Sequence, residues 1–567
     1  MLEWLDSHPN GYWAFAWSLF GLLIVASAGA LFATLLNERG RQWGQRLLPR
    51  WVFVTLLFLT FFAFRWPAFF FNEEMNPDES QIIAGAITLQ HDPVFWRAVD
   101  GTTHGPLDDY PLLLVRLFGL PVNYCTARVV GALMIFAAVF LLYRTLARYF
   151  ADPLARIGCL PALAYLAFTT NWDFIHYSSE HMPVFLLAIG CYCIAADLSA
   201  PDARRTRSWR WFVAGVALGA SPLAKLQSAP IAAALLATGT VMDLLLAGVP
   251  MRDRLRRLGA LVAGAALIPV LQFAVLLFAG EVSEAWNSYI VQNLFYAGNR
   301  HLNRDEFIQG FWHYVSLDPA FAVLTKSVIA LLAVASLGVL KFTRSAWRLL
   351  LLSAVFAGVA VFAVATPGRQ YAHYLLLTVV PGTLLVATLG CAWWQLPSSR
   401  VANETRVLLL AAFLAAAIWP QVQTRLANPN PFLGKLTTET RHPFDAVTDE
   451  ILRYARPGEA LGHWGWMCRY YVYTGMRQAT REAHIAFLIS EGPLRDHHRE
   501  RYLSDLQRNL PPVFIDAVGP GNFGYQNREL AHEVLPAVRK FVAEHYRLVA
   551  DLENTRIYVR NDRTDQP

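Results

Sequence analysis

Apolar residues in this chain gather in long blocks and seldom alternate with polar ones. Tyr12 to Leu36, Trp51 to Phe71 and Leu258 to Ala279 are long runs with few or no charges. About 20 such residues, rising 1.5 Å each as an α-helix, cross the roughly 30 Å of a bilayer's hydrocarbon. Read in order, the blocks predict twelve spans, near 11–36, 51–71, 126–149, 156–171, 180–198, 211–224, 228–247, 258–280, 320–341, 347–365, 372–396 and 406–423.

After residue 424 the pattern changes. Pro429, Pro431 and Pro443 interrupt it, and a mixed polar sequence follows. Val513 to Val518 and Arg556 to Arg560 are short and rich in β-branched residues, whereas Val447 to Ala455 and Leu530 to His545 have helical spacing. A small soluble α/β unit over 425–567 is predicted. The remainder divides into an extra N-terminal span with its loop, 1–50, and a main membrane domain, 51–424.

Composition agrees with this division. Hydrophobic residues make up 55% of the 567 and charged ones 16%, against about 25% charged in soluble proteins. The first block lacks a preceding basic stretch and is too long for a leader core, so it reads as a retained helix. Of the six cysteines only Cys468 falls in a segment read as fully aqueous, which argues against a disulfide framework. The net charge of +6 is not gathered into a patch interleaved with aromatics, so nucleic acid is not expected as a partner. The C-terminal unit contains no phosphate-cradling glycine loop and no paired-cysteine metal motif.

The basic residues fall in clusters between spans. Arg39 to Arg50, Arg144 to Arg156, Arg204 to Arg210, Arg252 to Arg257, Lys341 to Arg348, and Arg400 with Arg406 mark alternate connections. The other set holds few, among them Arg97, Lys225, Arg300, Arg304 and Arg369. Positive residues favour the cytoplasmic side, so the first set is read as inner. Both termini and the loops 72–125, 172–180, 281–319 and 366–371 are then outer. Arginine outnumbers lysine 43 to 5, as in GC-rich bacterial genomes, and the working face is expected on the non-cytoplasmic side.

The outer loops carry the unusual chemistry. In Asn76-Pro77-Asp78-Glu79, Asn76 suits a helix cap and Pro77 a first helical position, so Asp78 and Glu79 belong in a first turn, in a helix lying along the membrane surface. Taken alone they need only complement the helix dipole. His104 lies in Thr103-His104-Gly105-Pro106, ahead of a stretch too short to span. Lys225 sits between two spans, Arg300 in the longest outer loop, and Arg369, His373 and Tyr374 enter the eleventh span. Charges at helix mouths often only snorkel to the interface, but cationic and imidazole groups with a carboxylate pair on one side suit an anionic lipid headgroup.

The order of these pieces resembles the GT-C membrane glycosyltransferases, particularly the bacterial branch of lipid A aminoarabinose transferases and relatives of protein O-mannosyltransferases. The resemblance rests on Asp78-Glu79, His104 to Leu107, Phe118-Gly119, Ala127-Arg128, Leu223 to Lys225, the Asn293, Arg300, Trp312 and Tyr314 loop, and Arg369, Tyr374 and Pro381. It covers roughly residues 50 to 425. The chain departs from the aminoarabinose branch in carrying His104 for a lysine, Gly105-Pro106 for a doubled proline, and the extra helix at 11–36.

The resemblance implies a polyprenyl-phosphate sugar donor, an envelope acceptor (lipid A or lipopolysaccharide, another glycan, or a protein) and transfer with inversion. In that scheme Asp78 is the base, and Glu79 orients Asp78 or the acceptor. His104, Arg300 and Arg369 hold the departing phosphate, with Lys225, His373 and Tyr374 as secondary candidates. No cofactor is expected, and without an Asp-x-Asp pair no metal. A transporter of lipids or solutes would also carry charged residues facing a cavity, but no internal repeat of the kind transporters show is found. In a ligand-binding sensor, Asp78 would be dispensable.

Overall fold

The computed structural model describes residues 7–35, 49–199, 208–245, 249–298, 304–336, 342–369, 371–394, 403–429 and 445–563. Each predicted span falls on a helix, but the described helices at 156–171, 211–224, 320–341 and 406–423 are not among those long and apolar enough to cross a membrane. In chain order come α1 (Pro9–Leu35), α2 (Arg50–Arg65), then after two short helices, α3 (Pro77–Leu89) and α4 (Pro106–Leu114), the helices α5 (Tyr124–Tyr149), α6 (Asp152–Phe168), α7 (His181–Leu198), α8 (Ser208–Ala220), α9 (Ala229–Leu245) and α10 (Met251–Ala279). The segments α11 (Gln292–Gly298) and α12 (Arg304–Leu317) precede α13 (Pro319–Ser336), α14 (Arg344–Ala365), α15 (Leu376–Trp394) and α16 (Asn403–Ala427). Among the described residues, eight helices are long and apolar enough to cross a membrane. Helices suit that medium because each satisfies its own backbone hydrogen bonds.

One apolar cluster joins most of the bundle, and α15 lies at its centre, with nearly all of its residues buried. α10 lies at the periphery and is held by close approach. A Cβ added to Gly264 would fall 2.2 Å from the Phe212 carbonyl oxygen, and one added to Gly219 would fall 2.1 Å from that of Ala265. Glycine at both positions lets the backbones of α8 and α10 meet, as small residues do between membrane helices. At the end of the bundle where the basic clusters lie, Asp152 pairs with Arg50 and Arg156, and Asp243 with Arg257.

The C-terminal unit contains α17 (Ala446–Leu452), β1 (Ala460–Gly465), α18 (Arg469–Thr474), β2 (Arg477–Gln478), α19 (Arg495–Asn509), β3 (Val513–Ala517), α20 (Pro536–His545), β4 (Tyr546–Leu552) and β5 (Thr555–Arg560). Its five-stranded sheet has the order β2-β1-β3-β5-β4, with β1 parallel to β2 and β3, and β5 antiparallel to β3 and β4. Apolar clusters around Ile515 and Phe514 form its core.

This unit is docked on the connections that carry α3, Asp100 and Glu284. Ala84 of α3 joins the Ile515 cluster, and the Gln478 N–H donates to Thr88 Oγ1 at 3.0 Å. The helix expected to lie along the membrane surface is thus buried from Glu79 to Leu89 between the C-terminal unit on one side and α4 and α5 on the other. Arg501 of α19 fixes the contact. Its Nη2 lies 2.5 Å from Asp100 Oδ2 and 2.6 Å from Glu482 Oε1, and its Nη1 lies 2.7 Å from Glu284 Oε2.

Candidate active site

Arg128, at the start of α5, organises the loop that leads into α3. It donates to both Glu79 oxygens, at 2.8 and 2.6 Å, to the Phe71 carbonyl, and to the Glu73 carbonyl at 2.6 Å. Glu79 Oε1 also accepts from the Tyr177 N–H at 2.8 Å. Both charged side chains are shut off from solvent. Such a pair is tolerated when bidentate geometry and further hydrogen bonds replace the lost water. For Glu79, expected to orient the acceptor or Asp78, the hydrogen-bond partners are Arg128 and the Tyr177 and Met75 backbone N–H groups.

Asp78 stands one residue earlier. Asn76 Oδ1 accepts from its N–H at 2.9 Å and Pro77 opens the helix, which is the predicted first turn. Its side chain remains 47% exposed, and His373 Nε2 lies 3.9 Å from its Oδ2. Asp78 lines a cavity of about 360 Å³ together with Lys225, Arg369, His373 and Tyr374. Sequence positions spread over nearly 300 residues are brought together there.

The cations on this wall are held by aromatic rings. Lys225 Nζ sits 4.5 Å from the Tyr374 ring centroid, pairs with Glu180, and donates to Ser179 Oγ at 2.8 Å. The Arg369 guanidinium lies 4.4 Å over Tyr296. Its Nε is buried without a partner among the described residues, so an anion in the cavity would satisfy a donor that is otherwise costly to bury. His373 stacks on Tyr371, with 5.6 Å between centroids and 6° between planes.

His104 does not join them. Its Nε2 lies 2.9 Å from Asp109 Oδ2, both side chains are buried, and it lines no part of the cavity. The carboxyls behind it are raised above the usual range, Asp108 by burial and then by Asp109, and Asp109 by burial. The buried Asp109 carboxyl draws the imidazole inward, a pull invisible in the spacing of the motif. Arg300 lies outside the described residues. Thr102, which lines the cavity, has φ 57°. It is held by hydrogen bonds from Gln81 and Asn293 and by the Asp100 carboxylate, which accepts from its N–H.

The opposite wall belongs to the C-terminal unit and was not anticipated. Trp466, His484, Phe487, Arg495, Phe523 and Tyr525 line it. Trp466 stacks on His484 at 4.1 Å and 24°, and Phe523 meets Trp466 edge-on at 5.4 Å. Burial, and then His463, push the His484 imidazole down to about 3, so it stays neutral at physiological pH.

An apolar cleft of about 240 Å³ adjoins the polar cavity. The two share Thr103, Lys225, Tyr296 and Tyr374, and the cleft continues past Leu226, Pro230 and Phe362. A further cavity of about 200 Å³, around Leu154, Pro161 and Trp394, has no charged lining residue and lies apart from this chemistry. Two carboxylate–imidazole clusters, Asp100 with Glu482 and His498, and Asp516 with His532 and Glu533, each contain an arginine, Arg501 and Arg556. A guanidinium already supplies the positive charge that a metal ion would bring.

No family model matches the sequence, and no curated protein does. Solved structures do. The chain aligns over 89% of its length, and 97% of the other's, with ArnT from Cupriavidus metallidurans in the apo state, at a TM-score of 0.52 and 14% identity. Against the same protein bound to undecaprenyl phosphate the coverage is 91% and 99%, with TM-score 0.52 and 14% identity. The likeness is one of architecture, and the chain has the GT-C fold that its outer-loop motifs suggested.

Proposed function

We propose that this protein is an inverting glycosyltransferase that moves a sugar from a polyprenyl-phosphate donor to a cell-envelope acceptor, at the periplasmic face of a bacterial inner membrane. One observation carries the reading. A half-exposed carboxylate, Asp78, shares a cavity with Lys225 and Arg369, and that cavity adjoins an apolar cleft between helices. A lipid phosphate needs this combination of cations for the headgroup and apolar surface for the tail. The fold-related ArnT, crystallised with undecaprenyl phosphate, supports the same ligand class.

In this reading the acceptor hydroxyl oxygen attacks the anomeric carbon and its proton passes to an Asp78 oxygen. The bond from that carbon to the phosphate oxygen breaks, and the phosphate leaves with the electron pair. Arg369 and Lys225 stabilise the growing negative charge more strongly in a largely enclosed cavity than water would. A single displacement inverts the sugar carbon. Glu79 and Arg128 act as positioning residues that hold the first turn of α3.

Arg369→Ala is expected to weaken undecaprenyl phosphate binding by about ten- to more than a hundredfold, the effect of losing a charge-assisted hydrogen bond of roughly 1.5–3 kcal/mol. Titration of the purified variant in nanodiscs checks this, and parent-like affinity would move the phosphate site away from Arg369. For sidedness, Cys125 is only half-buried while the other cysteines are buried, so labelling starts from a Cys125→Ser background. An added cysteine at exposed Ser504 is expected to react with an impermeant maleimide in cells with a permeabilised outer membrane. One at exposed Arg252 is expected to stay unlabelled. The opposite pattern overturns the periplasmic assignment.

A further inference from the structure

The membrane-side wall of the cavity carries Lys225 and Arg369, so the donor phosphate belongs there. In a single displacement the nucleophile approaches opposite the leaving group. The acceptor therefore lies toward the wall formed by the C-terminal unit, whose chemistry differs. Trp466 is half-buried, stacked on His484 and braced by Phe523. A flat, braced aromatic face of this kind packs well against the C–H face of a sugar ring.

The polar atoms of the wall point the same way. His484 is 3% exposed, and its Nδ1 accepts from the Ala486 N–H at 3.2 Å. In the neutral imidazole the other nitrogen then carries the proton. That Nε2–H and the Trp466 Nε1–H both lack partners among the described residues. Both are donors, so the complement is a ligand rich in oxygen acceptors, such as the hydroxyl and ring oxygens of a saccharide. The cavity's volume of about 360 Å³ lies in the roughly 300–1,000 Å³ range of ligand pockets.

We propose that this wall is a saccharide subsite, in which a ring of the acceptor stacks on Trp466 and accepts a hydrogen bond from His484, so that the acceptor is a glycan and not a peptide. The assignment rests on the glycosyltransferase reading and deepens it by naming the acceptor class. Trp466 and His484 act in recognition and take no part in the proton transfer at Asp78.

The test uses the full-length protein in nanodiscs. Methyl β-N-acetylglucosaminide, methyl β-glucoside, methyl α-mannoside and a threonine-containing hexapeptide are followed by saturation-transfer NMR, and undecaprenyl phosphate binding is titrated separately. At least one glycoside is expected to receive saturation at its ring protons while the hexapeptide does not. Trp466→Ala is expected to cut glycoside affinity about tenfold or more, and Trp466→Tyr to retain most of it. His484→Ala is expected to cost about two- to tenfold, as for one lost hydrogen bond. Both alanine variants are expected to bind undecaprenyl phosphate as the parent does. If the parent binds that lipid but no glycoside, or binds the hexapeptide instead, the subsite assignment fails and the glycosyltransferase reading stands. The assignment also fails if Trp466→Ala loses lipid affinity as much as glycoside affinity. If the parent binds neither the lipid nor a glycoside, both fail.

Discussion

Asp78→Asn is expected to lower sugar transfer from a polyprenyl-phosphate donor by on the order of a hundred- to ten-thousandfold, while the protein folds and binds donor as before. The amide matches the carboxylate in size and retains an oxygen acceptor, but it cannot take a proton at neutral pH. The structural alternative makes the opposite prediction. Asp78 is held through its backbone N–H by Asn76, and its side chain is half-exposed with His373 3.9 Å away. A merely structural role would therefore survive the substitution. Single-turnover transfer, read beside detergent size-exclusion and undecaprenyl phosphate titration, separates the two. A folded, donor-binding variant with near-parent turnover would remove Asp78 as the base.

The second large effect is on stability. Arg128→Met leaves the Glu79 carboxylate buried beside apolar atoms and frees the Phe71 and Glu73 carbonyls. Breaking a buried pair from one side costs about 3–5 kcal/mol, so the variant is expected to unfold at a clearly lower temperature in detergent. Replacing both partners, as Glu79→Leu with Arg128→Met, is expected to recover much of that stability, because no unpaired charge remains. Turnover in the double variant is expected to stay low, since the loop bearing Asp78 has lost the guanidinium that gathered it. An Arg128→Met protein that melts with the parent would show that the pair contributes nothing.

What could be read in advance followed the range of the forces involved. The spans and the Asn76-Pro77 cap are encoded within a few residues, as apolar run length and local hydrogen bonding, and both were legible. Asp78, Lys225, Arg369, His373 and Tyr374 could be nominated because ionisable groups beside apolar blocks are conspicuous. Their shared cavity depends on how the helices pack, which no local pattern records. The same limit misdirected His104, whose neighbour Asp109 is close in sequence but becomes its partner only once both are buried. Trp466 and His484 gave no signal at all. They sit in an ordinary strand-and-turn sequence, and they line the cavity only once their unit is docked, with Arg501 on Asp100 and Glu284, hundreds of residues earlier.

That docking sets an order of events during synthesis. Asp78 and the membrane-side cations leave the ribosome well before Trp466, His484 and Tyr525, so a nascent chain holds only half of the cavity until its last third has been made. Chains generally fold from the N-terminus as they emerge, and here the bundle can be complete while the site remains open to water. A truncated product would expose Asp100 and Glu284 without Arg501, together with the apolar face of α3 around Ala84. The same contact that completes the cavity therefore also covers the charges and the apolar face that an unfinished chain leaves bare.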